Sequence, residues 1–510
     1  MIPSPPSGER GPALSLSKGP ERRVCKSGMR HNRESRSPLA LVLGNPFSVN
    51  WPLLANSLVL SGLTTLLAGG LGLLVALAAA GLNARARRCV LVATIGTLVL
   101  PPFLVTDCWL DLLGQSLGGV SSFPLNIYSL GGAVWLLTLL AWPVTTLFAL
   151  GAWRRLEAGQ LEMEPLLRGR ALLRLVLWPM ARPALGQAAA LTFVLALNNF
   201  AVPVILQVKV YPEELWLAFT ARLDEAGAWA ACLPMVIAPA LLLIFLRRAV
   251  VAWPGAGTGA TADAFRRQLG AGWSRLALLV TAALLLVSLG LPLERLLLGQ
   301  RTWAELPNLF RAAPDTVWNS FAYAAAAATA CVGLGLVSWR LPLGLMLWLP
   351  FLLPGVLLGR AMVALFNGTP FYGTAGLVLF VFSLRYLAPG WNLVAMARRG
   401  VDPELTDAAR IHGAGGWTLF RRVHWPQMAS QVAAAWYVTY LLCLWDVETM
   451  VLIHPPGGET LALRVFNLLH YGHNAQVNAL CVTLLALAGA PLALWMLGRR
   501  LARRTHDRVT

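Results

Sequence analysis

Apolar positions in this chain run together in long blocks instead of alternating with polar ones, and turn-forming or basic stretches separate the blocks. The first series is Leu53 to Leu82, Cys89 to Leu113, Tyr128 to Trp153, Ala184 to Val208 and Gly227 to Ala252. The second is Trp273 to Leu293, Thr316 to Trp339, Leu341 to Phe366, Tyr372 to Ala397, Ala429 to Ile453 and Ala475 to Leu497. As an α-helix rising about 1.5 Å per residue, each block is long enough to span about 30 Å of hydrocarbon. The pattern predicts an all-α polytopic membrane protein with about 11–12 transmembrane helices.

Charge orients these helices. Basic clusters fall at alternate block ends: Arg85, Arg87 and Arg88; Arg154 through Arg182; Arg247 and Arg248 into Arg266 and Arg267; Arg340; Arg398 through Arg422; and Arg499 through Arg508. All can lie on one side, which the positive-inside rule makes cytoplasmic. A formal net charge of +18 would suggest nucleic acid in a water-soluble chain. With 57% hydrophobic and 13% charged residues and a mean hydropathy of +0.63, the arginines read as topology signals and the lipid bilayer as the surroundings. The seven cysteines are dispersed without a CxxC pair, so neither a zinc site nor a disulfide framework is expected.

Residues 1–37 are rich in Ser, Pro, Gly and Arg and read as a disordered basic tail. Residues 38–252 form the first half, 253–272 a Gly/Ala/Thr-rich flexible cytoplasmic linker, 273–500 the second half and 501–510 a basic C-terminal tail. The halves read as an internal duplication. Asn56-Ser57 matches Asn319-Ser320, and Leu100-Pro101 matches Leu353-Pro354. Tyr128 and Pro143 recur as Tyr372 and Pro389, and Trp178-Pro179 recurs as Trp425-Pro426. The place for a first-half counterpart of Trp273 to Leu293 is Pro38 to Trp51, which is too short for a full span and carries Pro46 and two Asn, so it is open whether this segment is partly inserted, the tail lies outside, or the true N-terminus differs. The side of the membrane on which the N-terminal tail lies stays open at this point.

The basic island DPELTDAARIHGAGGWTLFRRVHWPQM, Asp402 to Met428, organises the rest. Asp407, Ala408 and Ala409 begin a helix-favouring run, Gly413 supplies a bend, and Trp417, Leu419, Phe420 and Val423 add an apolar face before Pro426. This stretch resembles the EAA loop of permease subunits of ATP-binding-cassette importers, with Asp407 in place of the usual Glu. In the first half, LEMEPLLRG occupies the corresponding place, with Glu162 or Glu164 as the nearest acid, then Gly169 and Pro179. Gly to Pro spans ten positions there and thirteen in the second half.

The chain as a whole resembles fused two-half permeases of the iron(III), thiamine and polyamine importer group, most closely the iron(III) type. That resemblance implies a bacterial inner-membrane permease, an ABC ATPase dimer docked on both loops, and a periplasmic or extracellular binding protein. ATP and Mg would act on the partner ATPase, with no cofactor in this chain. Iron(III) ranks first as solute, then polyamine or thiamine, then an anion such as a phosphonate.

Ionisable groups inside apolar blocks are costly and point to function. Asp446 and Glu448, with Asn198 and Asn199 at the analogous place in the first half, are candidates for the translocation path. Interhelical hydrogen bonding is the competing role, and Arg385 is a candidate counter-ion for either acid. Asp107 and Arg360 occupy equivalent repeat positions and are candidate outer-gate partners, or else separate snorkelling residues. His454, His470 and His473 cluster on a predicted outer segment, where water-facing loop histidines are favoured over metal ligands. The chain contains no GxxxxGK[ST] phosphate loop and no catalytic constellation in an aqueous segment, so a transport subunit is expected and not an enzyme. An ion-gradient-driven secondary transporter and a non-transporting assembly subunit are the alternatives from other classes.

Overall fold

The computed structural model describes residues 50–114, 126–153, 168–220, 225–246, 262–341, 344, 346–470 and 474–506. They are helical throughout, with no strand among them. Among the described residues, seven helices are long and apolar enough to cross a membrane: Trp51–Ala80, Leu130–Trp153, Arg170–Asn198, Ala271–Leu298, Pro314–Ser338, Ala375–Arg399 and Gln476–Trp495. An eighth crossing results if Ala84–Val99 and Pro102–Leu113, bent by 88°, count as one span. The chain is an all-α, multi-pass membrane protein.

Several blocks expected as continuous helices are broken, and the cause is local. Leu100 and Leu353 each precede a proline, whose ring disfavours helical geometry in the residue before it. Both adopt extended backbone, with ψ 130° and 141°, and a new helix starts just beyond each. Two other breaks are made by polar side chains. Trp178–Asn198 ends at Asn199, whose Oδ1 accepts from the amide of Val202 at 3.1 Å. Trp425–Leu444 ends at Trp445, and Asp446 Oδ1 accepts from the amide of Thr449 at 2.8 Å. In each case the side chain takes the bond that the next helical turn would have made, which starts a short new helix.

The duplication is visible atom by atom. Ser57 Oγ accepts from the amide of Tyr211 at 2.8 Å, and Ser320 Oγ accepts from the amide of Leu461 at 2.7 Å. Asn56 Nδ2 donates to the Lys209 carbonyl at 3.5 Å, and Asn319 Nδ2 to that of Gly457 at 2.9 Å. A π turn precedes both Trp-Pro pairs that the repeat matches: Leu173–Leu177 before Trp178, and Phe420–His424 before Trp425. Within each half the long helices cross at a glycine. A Cβ on Gly72 would lie 2.8 Å from Thr145 Cβ, and one on Gly335 would lie 3.1 Å from Trp391 Cα.

Residues 47–510 form one compact unit, so the halves interlock. Ala271–Leu285 of the second half packs against Trp51–Ala80 and Ala84–Val99 of the first. The C-terminal helix Asn474–His506 packs on Pro102–Gly114. One apolar core runs through both, from Leu60, Phe103 and Trp142 to Phe382, Tyr440 and Leu463. The Phe200 and Phe466 rings meet across it at 5.5 Å. Part of the stretch expected to be a flexible linker is ordered: Ala262–Leu269 is a helix that buries Phe265 and Leu269. Phe265 and Leu269 are apolar and lie four apart on one helical face, which gives the stretch a side to pack. Residues 253–261 and the N-terminal tail lie outside the described residues.

Candidate functional site

Three of the helix breaks, at Asn199, Leu353 and Asp446, meet at one corner. Asn198 Nδ2 donates to the carbonyl of Leu352 at 2.7 Å, tying the end of a first-half helix to the break in the second half. Three residues later, the amide of Gly355 donates to Glu448 Oε2 at 3.3 Å. Gly355 cannot carry a side chain here, because a Cβ would sit 2.6 Å from that of Glu448 and overlap the Arg385 guanidinium. Asn198 Oδ1 is buried and has no hydrogen-bond partner among the described residues.

Behind this corner lies a buried ionic network. Arg385 Nη1 donates to Asp446 Oδ2 at 3.2 Å and Nη2 to Glu448 Oε2 at 2.7 Å. Nη1 also contacts the Thr449 hydroxyl, and Tyr386 donates its phenol proton to Asp446 Oδ2 at 2.8 Å. The Asp446 side chain is 1% exposed, that of Arg385 9% and that of Glu448 14%. With both acids ionised, the set carries two negative charges and one positive. Most of the cation attraction expected of Asp446 and Glu448 is therefore spent on Arg385, as charge pairing in a low-dielectric interior requires. Arg385 was legible as a counter-ion. Thr449, Tyr386 and the backbone groups of Leu352 and Gly355 were not, although the repeated Leu-Pro pair marked their neighbourhood.

The basic island forms an exposed helix-turn-helix. Asp402 caps the helix Pro403–Ile411, accepting from the amide of Glu404 at 2.9 Å, and none of the helix's residues is buried. Asp407 and Arg410 pair at 3.4 Å on the surface, an exposed contact of little energetic weight. Ala408 is exposed and Ala409 half-buried. Gly413 turns the chain at φ +75°, which an L side chain adopts only with strain, and Gly416–Leu419 follows. Leu405, Ile411 and Trp417 face outward at 52%, 84% and 72% exposure. Trp417 stacks on Phe420, whose ring also lies under the Arg398 guanidinium at 5.0 Å. The amide of Asp402 donates to Gln427 Oε1 at 3.0 Å, which holds the island to the foot of the Pro426 helix. His424 stands 3.4 Å from the Thr406 hydroxyl. Burial first, then Arg398 and Arg410, lower the His424 pKa.

In the first half, Gly169 turns at φ +55° and its amide donates to the Gln268 carbonyl at 2.7 Å. Trp153 Nε1 donates to the Leu177 carbonyl at 3.0 Å just before Trp178-Pro179. Gly169 is thus tied to the helix Ala262–Leu269. Glu162 and Glu164 lie outside the described residues.

Asp107 and Arg360 form no ion pair in this conformation. Asp107 is 3% exposed and lines a cavity with Asp111, Glu294, Arg295 and Asn478, whereas Arg360 projects from Gly355–Phe366, which packs on Met450–Ile453. The repeat places them at equivalent positions on separate helices, and equivalence in sequence does not by itself bring side chains together. His454 Nδ1 lies 3.0 Å from the Met450 carbonyl one turn back. The side chain of His470 and all of His473 lie outside the described residues. Among the described residues no group of three His, Cys, Asp or Glu is placed to hold a metal ion.

Comparison with known proteins gives partial relatives. No family model matches the chain. It is 31% identical over 90 residues to the spermidine/putrescine transport system permease protein PotC of Escherichia coli K12, covering 18% of this chain and 34% of the relative. It is 27% identical over 162 residues to a putative 2-aminoethylphosphonate transport system permease protein, PhnV, of Salmonella paratyphi A, covering 31% of this chain and 60% of that one. PotC of Haemophilus influenzae is 26% identical over 167 residues, covering 32% of this chain and 62% of that relative. The chain spans between about a third and three fifths of the length of these curated relatives. It is a multi-pass membrane protein, similar over those stretches to permease proteins of polyamine and phosphonate transport systems.

Proposed function

We propose that the chain is the membrane-embedded permease of an ATP-binding-cassette importer in a bacterial inner membrane. It would form the solute path and pass the work of separate ATPase subunits to it, with ATP and Mg handled by those subunits and solute delivered by a binding protein. The observation that carries the reading is the exposed helix-turn-helix at Pro403–Leu419, which holds Leu405, Ile411 and Trp417 in water at the basic end of the molecule. Large apolar side chains kept exposed on an ordered polar segment are suited to a protein partner. The shared π turn and Trp-Pro support a second, first-half docking segment at Gly169 to Pro179.

For the solute, the relatives favour a polyamine or an aminophosphonate over iron(III). Both kinds of named solute carry a primary ammonium group. The path is assigned to Asn198, Asn199, Asp446 and Glu448, near which Asn198 Oδ1 is buried with no hydrogen-bond partner among the described residues. The test is ATP hydrolysis in liposomes holding the chain, its candidate ATPase and its candidate binding protein. Gly413→Arg should abolish stimulation by the binding protein, because a Cβ at Gly413 points into open space and the arginine would project into the docking face. An ATPase that never associates, or stimulation that survives this change, would sink the reading and leave an ion-driven transporter.

A further inference from the structure

A cavity of about 500 Å³ lies away from both the coupling loops and the Arg385 network. Its walls come from three parts of the chain. Pro102–Gly114 gives Leu104, Asp107 and Asp111, the end of Ala271–Leu298 gives Glu294, Arg295 and Leu298, and the C-terminal helix gives Asn478. These walls sit at the ends of their helices remote from Arg85, Arg87, Arg88, Arg266 and Arg267, so on the side facing away from the cytoplasm.

Asp107 makes the cavity more than a gap between helices. It is 3% exposed, and no hydrogen bond or ion pair reaches its carboxylate among the described residues. An isolated carboxylate taken out of water is among the most costly groups a membrane protein can hold, and such groups turn inward toward a partner or path. The remaining walls do not neutralise it: Glu294 stands beside the one guanidinium of the lining, Arg295. Asn478 adds hydrogen-bonding capacity, and Leu104 and Leu298 add apolar wall. The acids are too dispersed for a metal ion. The volume suits a small organic ion, since pockets for small molecules begin at roughly 300 Å³.

We propose that this cavity binds a primary ammonium group, with Asp107 as its buried anchor, Glu294 and Asp111 as outer acids, and Arg295 as the competing cation. The ammonium comes from a free amine or from an ethanolamine lipid headgroup. The site does not depend on the importer reading, and its test uses no ATPase.

The experiment measures equilibrium binding of 1,4-diaminobutane to the full chain in phosphatidylcholine nanodiscs. Asp107→Asn and Glu294→Gln should each weaken binding at least tenfold, whereas Arg295→Gln should tighten it. A structural defect would not produce that opposite sign. Glu294 is exposed, so its variant keeps the test valid if Asp107→Asn fails to fold. Asp263→Asn, which alters an exposed acid on the helix Ala262–Leu269 outside both sites, should leave this binding unchanged. In the lipid arm, native mass spectrometry should show phosphatidylethanolamine retained over phosphatidylcholine by wild type and released by Glu294→Gln. A free-amine site gives the first result, and a headgroup site gives the second. Absence of both, or amine binding lost with Glu448→Gln and not with Glu294→Gln, overturns the proposal.

Discussion

Arg385 holds two acids at once, and its removal leaves both buried without a counter-ion. Arg385→Met is therefore expected to lower stability by about 3–5 kcal/mol, read as a loss of melting temperature in detergent. The triple change Arg385→Met, Asp446→Leu, Glu448→Met should cost much less, because no charge is then stranded. Equal losses would show that the network is not an ionic unit. At this scale the sequence was informative about side chains with a charge and silent about backbone. Asp446, Glu448 and Arg385 stand out because ions in apolar blocks need partners. The Gly355 amide and the Leu352 carbonyl carry no mark of their own, since every residue has such groups. Asp107 was legible as an expensive buried acid, but its companions Glu294, Arg295 and Asn478 lie almost 200 residues or more away and only the fold assembles them.

Helices in this protein are limited by what interrupts them. An apolar block says that a segment belongs in lipid, not that one straight helix crosses it. The Leu100 and Leu353 breaks follow from the prolines, while those at Asn199 and Asp446 follow from side chains that cap the next turn. Crossings within each half need glycine at defined points. Gly72→Val should disrupt folding, because its side chain would enter the backbone of Leu130–Trp153, whereas Gly70→Val, with open space around it, should leave insertion and melting nearly unchanged. Similar behaviour of the two would remove the crossing argument. In the basic island, the lowered pKa of His424 means that the folded state takes up a proton less readily than the unfolded chain does. The stability it contributes is complete above the unfolded value near 6.5, and is lost as pH falls through that value toward the lower folded one. Hydrogen exchange in Pro403–Ile411 should rise on acidification across that window, and His424→Gln should flatten the rise. An unchanged slope in that variant would assign the effect elsewhere.

At the level of the whole molecule, the tandem halves could be read from Asn56-Ser57 and Asn319-Ser320, whose amide and hydroxyl contacts are reproduced in both copies. Their interlocking could not be read, because apolar faces on helices do not say which neighbour will cover them. At the corner Leu352 to Gly355 an amide side chain of the first half and a carboxylate of the second both bond to second-half backbone. On its own side this corner contributes only main-chain atoms to those bonds. Mutation cannot erase a carbonyl, and it can erase an amide only by introducing proline. Over generations, drift at this joint is therefore confined to Asn198, Glu448 and the missing side chain of Gly355, and a descendant that changes solute while keeping the joint has to make its changes elsewhere.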